Sequence, residues 1–183
     1  MVSIDLKMKK VRSKKDQSIY DKTKKYLEKI KETEIEEKMK VIDQILEKEV
    51  GEERFSYLYD ILCDYLDQEF KKKNICGFHN NICKRRCHMI EENKKKDTYD
   101  NGCCYSYLHK RNCEHLNAPY GCKIKNLGCK LFTCSYLKKQ GIRYKLNQIY
   151  LSRYFFNRRQ KFYIENTFFV DKPVIMEGIL RRK

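Results

Sequence analysis

Tryptophan is absent from the 183 residues, and proline and glycine number only two and seven. So little proline and glycine excludes a collagen-like or low-complexity chain. No window approaches the roughly 18 apolar residues that a membrane span needs, so no membrane partner is expected. Met1 to Lys15 scatters charges and lacks the apolar run of a secretory leader, and a cytoplasmic protein is expected. Cysteine is missing from both ends, with none before Cys63 and none after Cys134. The sequence also lacks GxGxxG, a phosphate loop, GxSxG and HExxH. An enzyme is therefore the less favoured class.

What is present is concentrated. A hydrophobic fraction of 41% with 13% aromatics is enough for a core, which excludes broad disorder. Nine of the ten cysteines lie between Cys76 and Cys134, and His79, His88, His109 and His115 share that stretch. In an oxidising compartment this would be a disulfide framework. In the cytosol thiols stay reduced, and clustering of soft ligands around a metal accounts for it better.

The excess of 41 Lys and Arg over 25 Asp and Glu gives +16, and it is unevenly placed. Residues 1–50 carry +3, residues 51–70 carry −5, and residues 71–134 and 135–183 carry +9 each. Some charge in 71–134 would offset a thiolate cluster. The +9 after Cys134 has no such use and points to an anionic partner.

Four regions are expected: a basic flexible arm (1–15), an N-terminal helical region (16–72), a Cys-rich metal-binding region (73–134) and a basic, aromatic C-terminal region (135–183). Helical spacing places Ile19, Tyr20, Leu27 and Ile30 on a first helix. Thr33 to Glu36 fits a capping box, opening a second helix that buries Ile35, Met39, Ile42 and Leu46 and stops at Gly51. A third carries Phe55, Leu58, Tyr59, Leu62, Tyr65, Leu66 and Phe70. Cys63 beside that stripe reads as a small buried hydrophobe, and Asp60, Asp64 and Asp67 as a solvated face. Leu146, Ile149, Tyr150, Arg153 and Tyr154 predict a further helix. Lys161 to Val170, rich in Phe, Tyr, Ile and Val, predicts a strand that Lys172-Pro173 breaks, with Val174 to Leu180 as its hairpin partner. The fold class expected is mainly α, with an irregular metal-stabilised centre and a short C-terminal β element.

The cysteine spacing is Cys76-x6-Cys83-x3-Cys87-x15-Cys103-Cys104-x8-Cys113-x8-Cys122-x6-Cys129-x4-Cys134. Close pairs joined by longer loops suit ligands that converge from separate turns, and a cation is what makes crowded thiolates tolerable. All nine of these cysteines are candidate ligands. No CxxC occurs, which excludes the commonest zinc-ribbon signature, and the ferredoxin spacing is absent too. His79, His88 and His115 sit close to cysteines and read first as surface or supporting imidazoles. The cofactor expected is zinc or an iron–sulfur cluster, 4Fe–4S if the latter.

Gly102-Cys103-Cys104-Tyr105, Cys113-Glu114-His115-Leu116, Gly121-Cys122-Lys123-Ile124 and Cys129-Lys130-Leu131-Phe132-Thr133-Cys134 follow one another in order. This series resembles the YkgJ-type family of zinc- or iron-chelating cysteine clusters, over residues 83–134. The resemblance implies Cys103, Cys104, Cys113, Cys122 and Cys129 as ligands, with Cys134 beside them. Where that family has a CxxC, this chain has the wider Cys83 and Cys87.

In the C-terminal region, Arg143, Arg153, Arg158, Arg159 and Lys161 are interleaved with aromatics, while Tyr150 and Tyr154 belong to the core. Cations answer phosphates and flat rings answer unstacked bases, so nucleic acid or a ribonucleoprotein is the expected partner. Two other classes give a similar sequence. One is a protein-binding inhibitor or assembly factor with a structural metal; the other is an iron–sulfur redox or modification enzyme.

Overall fold

The computed structural model describes residues 12–80, 82–83, 104–106, 111–117 and 121–182. Most of the expected basic arm lies outside these residues. The chain is mainly helical, as expected.

Helix α1 (Lys14–Lys29) starts on Ser13, whose hydroxyl accepts from the Asp16 amide at 3.1 Å. It buries Ile19, Thr23 and Leu27 against α2 (Ile35–Glu47), which buries Met39, Ile42, Ile45 and Leu46. The capping box at Thr33 does not form. Glu34 takes the cap position without a side-chain bond, and the Thr33 amide is satisfied by Glu32 Oε1 at 3.0 Å.

Gly51 does not end α2, which stops at Glu47. It begins α3 (Glu52–Lys73) at φ +134°, a conformation open only to glycine at reasonable cost. Helix α3 is the spine, with Leu58, Tyr59, Leu62, Cys63 and Leu66 buried. Burial of each large side chain contributes about 1.5–3 kcal/mol. The spine packs on α2 and on the later elements β6 (Gly121–Cys122), α4 (Leu127–Leu131) and α7 (Lys172–Leu180).

Three antiparallel two-residue pairs lie in the described part of residues 73–134. They are β1 (Phe78–His79) with β2 (Ile82–Cys83), β3 (Tyr105–Ser106) with β4 (Arg111–Asn112), and β5 (Leu116–Asn117) with β6. Strands this short have too few bonds to persist alone in water.

The expected C-terminal β element is replaced by helices. Residues 158–165 form α6 (Arg158–Glu165), which packs on α4 and α7. Asn157 and Gln160 make a reciprocal capping box, amide to side chain at 2.8 and 2.9 Å. Cooperative capping, together with the buried Gln160 amide donating to the Ile179 carbonyl at 3.0 Å, overrides the β preference of the Phe, Tyr and Ile side chains. Lys172-Pro173 opens α7 rather than breaking a strand, because proline in a first turn gives up no helical bond.

The helix expected around Leu146 to Tyr154 is also absent. Residues 146–155 run through successive turns, held by the buried Ser152 hydroxyl donating to Leu146 O at 2.6 Å.

Candidate metal centre and basic surface

Helix α3 ends on Asn74 in the left-handed conformation, at φ +38°. The Asn74 side chain then clamps Phe78 at both backbone groups, accepting from its amide at 3.0 Å and donating to its carbonyl at 3.2 Å. This fixes the start of the first hairpin, and Gly77 (φ +60°) turns the chain into it. Closure of the hairpin brings Cys83 back to Cys76, where the thiol donates to the Cys76 carbonyl at 3.3 Å. Both residues are half-buried.

The second hairpin brings Cys104 and Cys113 together through the backbone. Tyr105 faces Asn112 and Ser106 faces Arg111, and the Cys113 amide donates to the Cys104 carbonyl at 2.8 Å. Cys113 is buried and Cys104 half-buried. A turn from Cys113 to Leu116 leads directly into the third hairpin, where Leu116 pairs with Cys122. Cys104 and Cys113 thus flank the second hairpin, and Cys122, nine residues beyond Cys113, lies on β6 of the third.

Cys129 lies elsewhere, in α4. Asn126, fully buried, caps this helix by accepting from the Cys129 amide at 2.9 Å, and it donates to Val170 O at 2.9 Å. Leu127 donates to the Tyr59 hydroxyl on α3 at 2.9 Å. Cys129 is buried, and its sulfur accepts from the Phe169 amide at 3.3 Å. Cys134 is the cap residue of α5 (Ser135–Lys139). Among the described residues, no three Cys, His, Asp or Glu side chains are grouped closely enough to hold a metal ion. Cys87, Cys103, His88 and His109 lie outside the described residues, and Cys122 is described by its strand position alone.

His79 is exposed on β1. His115 Nε2 lies 3.5 Å from Glu114 Oε1. Cys63, expected as a small hydrophobe, is fully buried, and burial pushes its thiol up to about 12.

The acidic side of α3 is solvated only in part: Asp64 is exposed as expected, while Asp60 and Asp67 are paired with lysines of the later chain. Lys172 reaches Asp60 at 2.8 Å, Lys125 reaches Asp60 at 3.4 Å and Asp64 at 3.8 Å, and Lys130 reaches Asp67 at 2.5 Å. The −5 segment is where lysines of the later chain dock.

The five basic candidates divide. Arg143, Arg158 and Arg159 are exposed. Arg153 and Lys161 are half-buried and neighbours, with Lys161 Nζ donating to the Arg153 carbonyl at 2.5 Å. The Arg153 guanidinium lies 4.3 Å from the centre of the Tyr26 ring and 5.5 Å from that of Tyr154. Burial, with the Arg153 charge adding to it, pulls the Lys161 ammonium below the usual lysine range. Tyr150 and Tyr154 pack against the core, as expected. Phe162, one of the aromatics interleaved with these cations in the sequence, is 70% exposed on α6. On a helix rather than the expected strand it stands four after Arg158 and three after Arg159.

Among the described residues, no helix is long and apolar enough to cross a membrane. The chain matches no family model, no curated protein and no solved structure.

Proposed function

We propose that this chain is a metal-binding cysteine-cluster protein that recognises an anionic partner, and that the partner is nucleic acid. The observation that carries the metal reading is the closure of two separate hairpins on cysteine pairs, Cys76 with Cys83 and Cys104 with Cys113. Hairpins of two residues per strand need a staple, and thiolates are soft donors suited to zinc or to iron in a cluster. Cys76, Cys83, Cys104 and Cys113 are the residues that would hold the metal, with Cys87, Cys103, Cys122, Cys129 and Cys134 as further donors. The metal would supply a fixed shape to a segment poor in apolar side chains. Exposed Arg143, Arg158 and Arg159 in the +9 C-terminal region support the anionic partner.

The test is anaerobic purification of the full chain, followed by elemental analysis, visible absorption and thiol counting. Stoichiometric zinc, or iron with a visible band that bleaches on reduction, is the expected result. Cys104→Ser and Cys113→Ser should each release metal. Full metal occupancy in both variants would overturn the assignment of those residues. Absence of metal with most thiols oxidised would replace it with a disulfide framework.

A further inference from the structure

We propose that the outer face of α6, together with the Tyr26 side of α1, binds single-stranded nucleic acid, with Phe162 as the platform on which a base stacks. This rests on the nucleic-acid reading above and names its surface. Single exposed apolar side chains are ordinary on protein surfaces, so the exposure of Phe162 alone argues nothing. Its neighbours are what give it meaning. Arg158 and Arg159 precede it by four and three positions, and both are exposed, so two guanidinium groups share the helix face with the ring. The one acid of α6, Glu165, is used internally, its Oε1 accepting from the Leu146 amide at 2.8 Å.

Arg153 links α6 to α1. Lys161 is bonded to the Arg153 carbonyl, and the Arg153 guanidinium covers Tyr26 of α1, whose hydroxyl donates to Gln148 O at 3.1 Å. Lys22 and Lys29 stand four before and three after Tyr26, so both belong to its side of α1, and both are exposed. Cations from two distant parts of the sequence thus flank a pinned arginine, with an uncovered aromatic ring at one end. Phosphates spaced along a flexible strand can meet the cations, while an unpaired base can reach the ring. A duplex keeps its base faces stacked inside, and an acidic polypeptide has no flat face to offer.

The experiment uses the full chain and fluorescence anisotropy with labelled short oligo-dT, oligo-U and a matched duplex, over a salt titration. The wild-type chain should bind the single strands more tightly than the duplex. Phe162→Ala should weaken single-strand binding about tenfold with little change in salt slope, and Phe162→Tyr should restore it. Arg158→Gln with Arg159→Gln should lower the slope by about 1.4, the value for two phosphate contacts on a single strand. Wild-type affinity in Phe162→Ala would overturn this surface and leave the nucleic-acid reading standing. A wild-type chain that binds none of the oligonucleotides would overturn that reading itself. Equal or tighter duplex binding, or displacement of the oligonucleotide by an equal charge of poly-glutamate, would overturn the stacking role.

Discussion

Arg54 on α3 reaches Asp16 on α1, Nη1 to Oδ1 at 2.6 Å, with both residues more than nine-tenths buried. The same guanidinium donates to the Leu46 and Lys48 carbonyls, each at 2.8 Å, at the end of α2. One side chain therefore neutralises a buried carboxylate and satisfies carbonyls that the end of α2 leaves unpaired. Arg54→Met should destabilise the chain by about 3–5 kcal/mol, because it strands the Asp16 charge in the interior. Adding Asp16→Leu should recover much of that loss. Urea unfolding of the single and double variants is the measurement. A double variant no more stable than Arg54→Met would show that the carbonyl bonds, not the ion pair, dominate.

Alkaline pH should unfold the helical core through groups that hold their protons in the folded state. Burial pushes the Cys63 thiol from an ordinary 9.0 up to about 12, and burial with the Tyr65 charge adding moves Tyr150 from 10.0 up to about 12. Burial also raises Tyr59. A raised folded value means the native state binds the proton more tightly. The stabilisation is complete below the unfolded values and is lost as pH climbs to about 12. Urea midpoints should hold up to pH 9 and fall between there and about 12. Tyr150→Phe should flatten the part of that slope above pH 10. An unchanged slope would show that Tyr150 ionises without loss of the fold.

The first three helices were legible because the spacing of Ile19, Leu27, Met39, Ile42, Leu58, Leu62 and Leu66 matches a single buried face each. The C-terminal helices were not, because Phe162, Tyr163, Ile164, Phe168 and Phe169 favour strands by composition. The competing signals were short: Asn157 three before Gln160, and Pro173 just after Asp171. Neither stands out until α7 supplies the Ile179 carbonyl that Gln160 bonds. The lysine partners on the acidic face of α3 were hidden for a related reason. Asp60 and Asp67 look solvated along the helix alone, and their lysine partners lie more than sixty residues away. Of the candidate centre, the spacing predicted convergence of cysteines, and the described residues hold no group of three ligands. That Cys83 lies beside Cys76, and Cys113 beside Cys104, depends on the turns at Asn74 and Gly77 and on hairpin register.

Gly128 of α4 lies against the backbone at and just beyond the end of α6. A Cβ there would stand 2.2 Å from Thr167 O and 2.8 Å from Ile164 O, both backbone atoms that cannot rotate aside. Gly128→Ala should cost about 1–3 kcal/mol through forced separation of the two helices. The bond from the Phe169 amide to the Cys129 sulfur should loosen with it. Thermal melts give the first effect, and hydrogen exchange at Phe169 gives the second. Wild-type stability in Gly128→Ala would mean that the two segments are not in this contact.

Asp60 takes Lys172 at 2.8 Å and Lys125 at 3.4 Å, whereas Asp64, which is 62% exposed, meets Lys125 only at 3.8 Å. Removal of the first carboxylate should matter more. Asp60→Asn should cost about 1 kcal/mol at low salt, the upper end for a partly exposed pair, and Asp64→Asn close to nothing. The Asp60→Asn cost should shrink as salt rises, since these charges remain within reach of solvent ions. Equal effects of the two substitutions would contradict the pairing. The same lysines are occupied by the spine and should not meet a partner. Lys125→Gln and Lys172→Gln should therefore leave the salt slope of oligonucleotide binding unchanged, in contrast to the arginines of α6. A slope lowered by either would place the anionic partner across α3 instead.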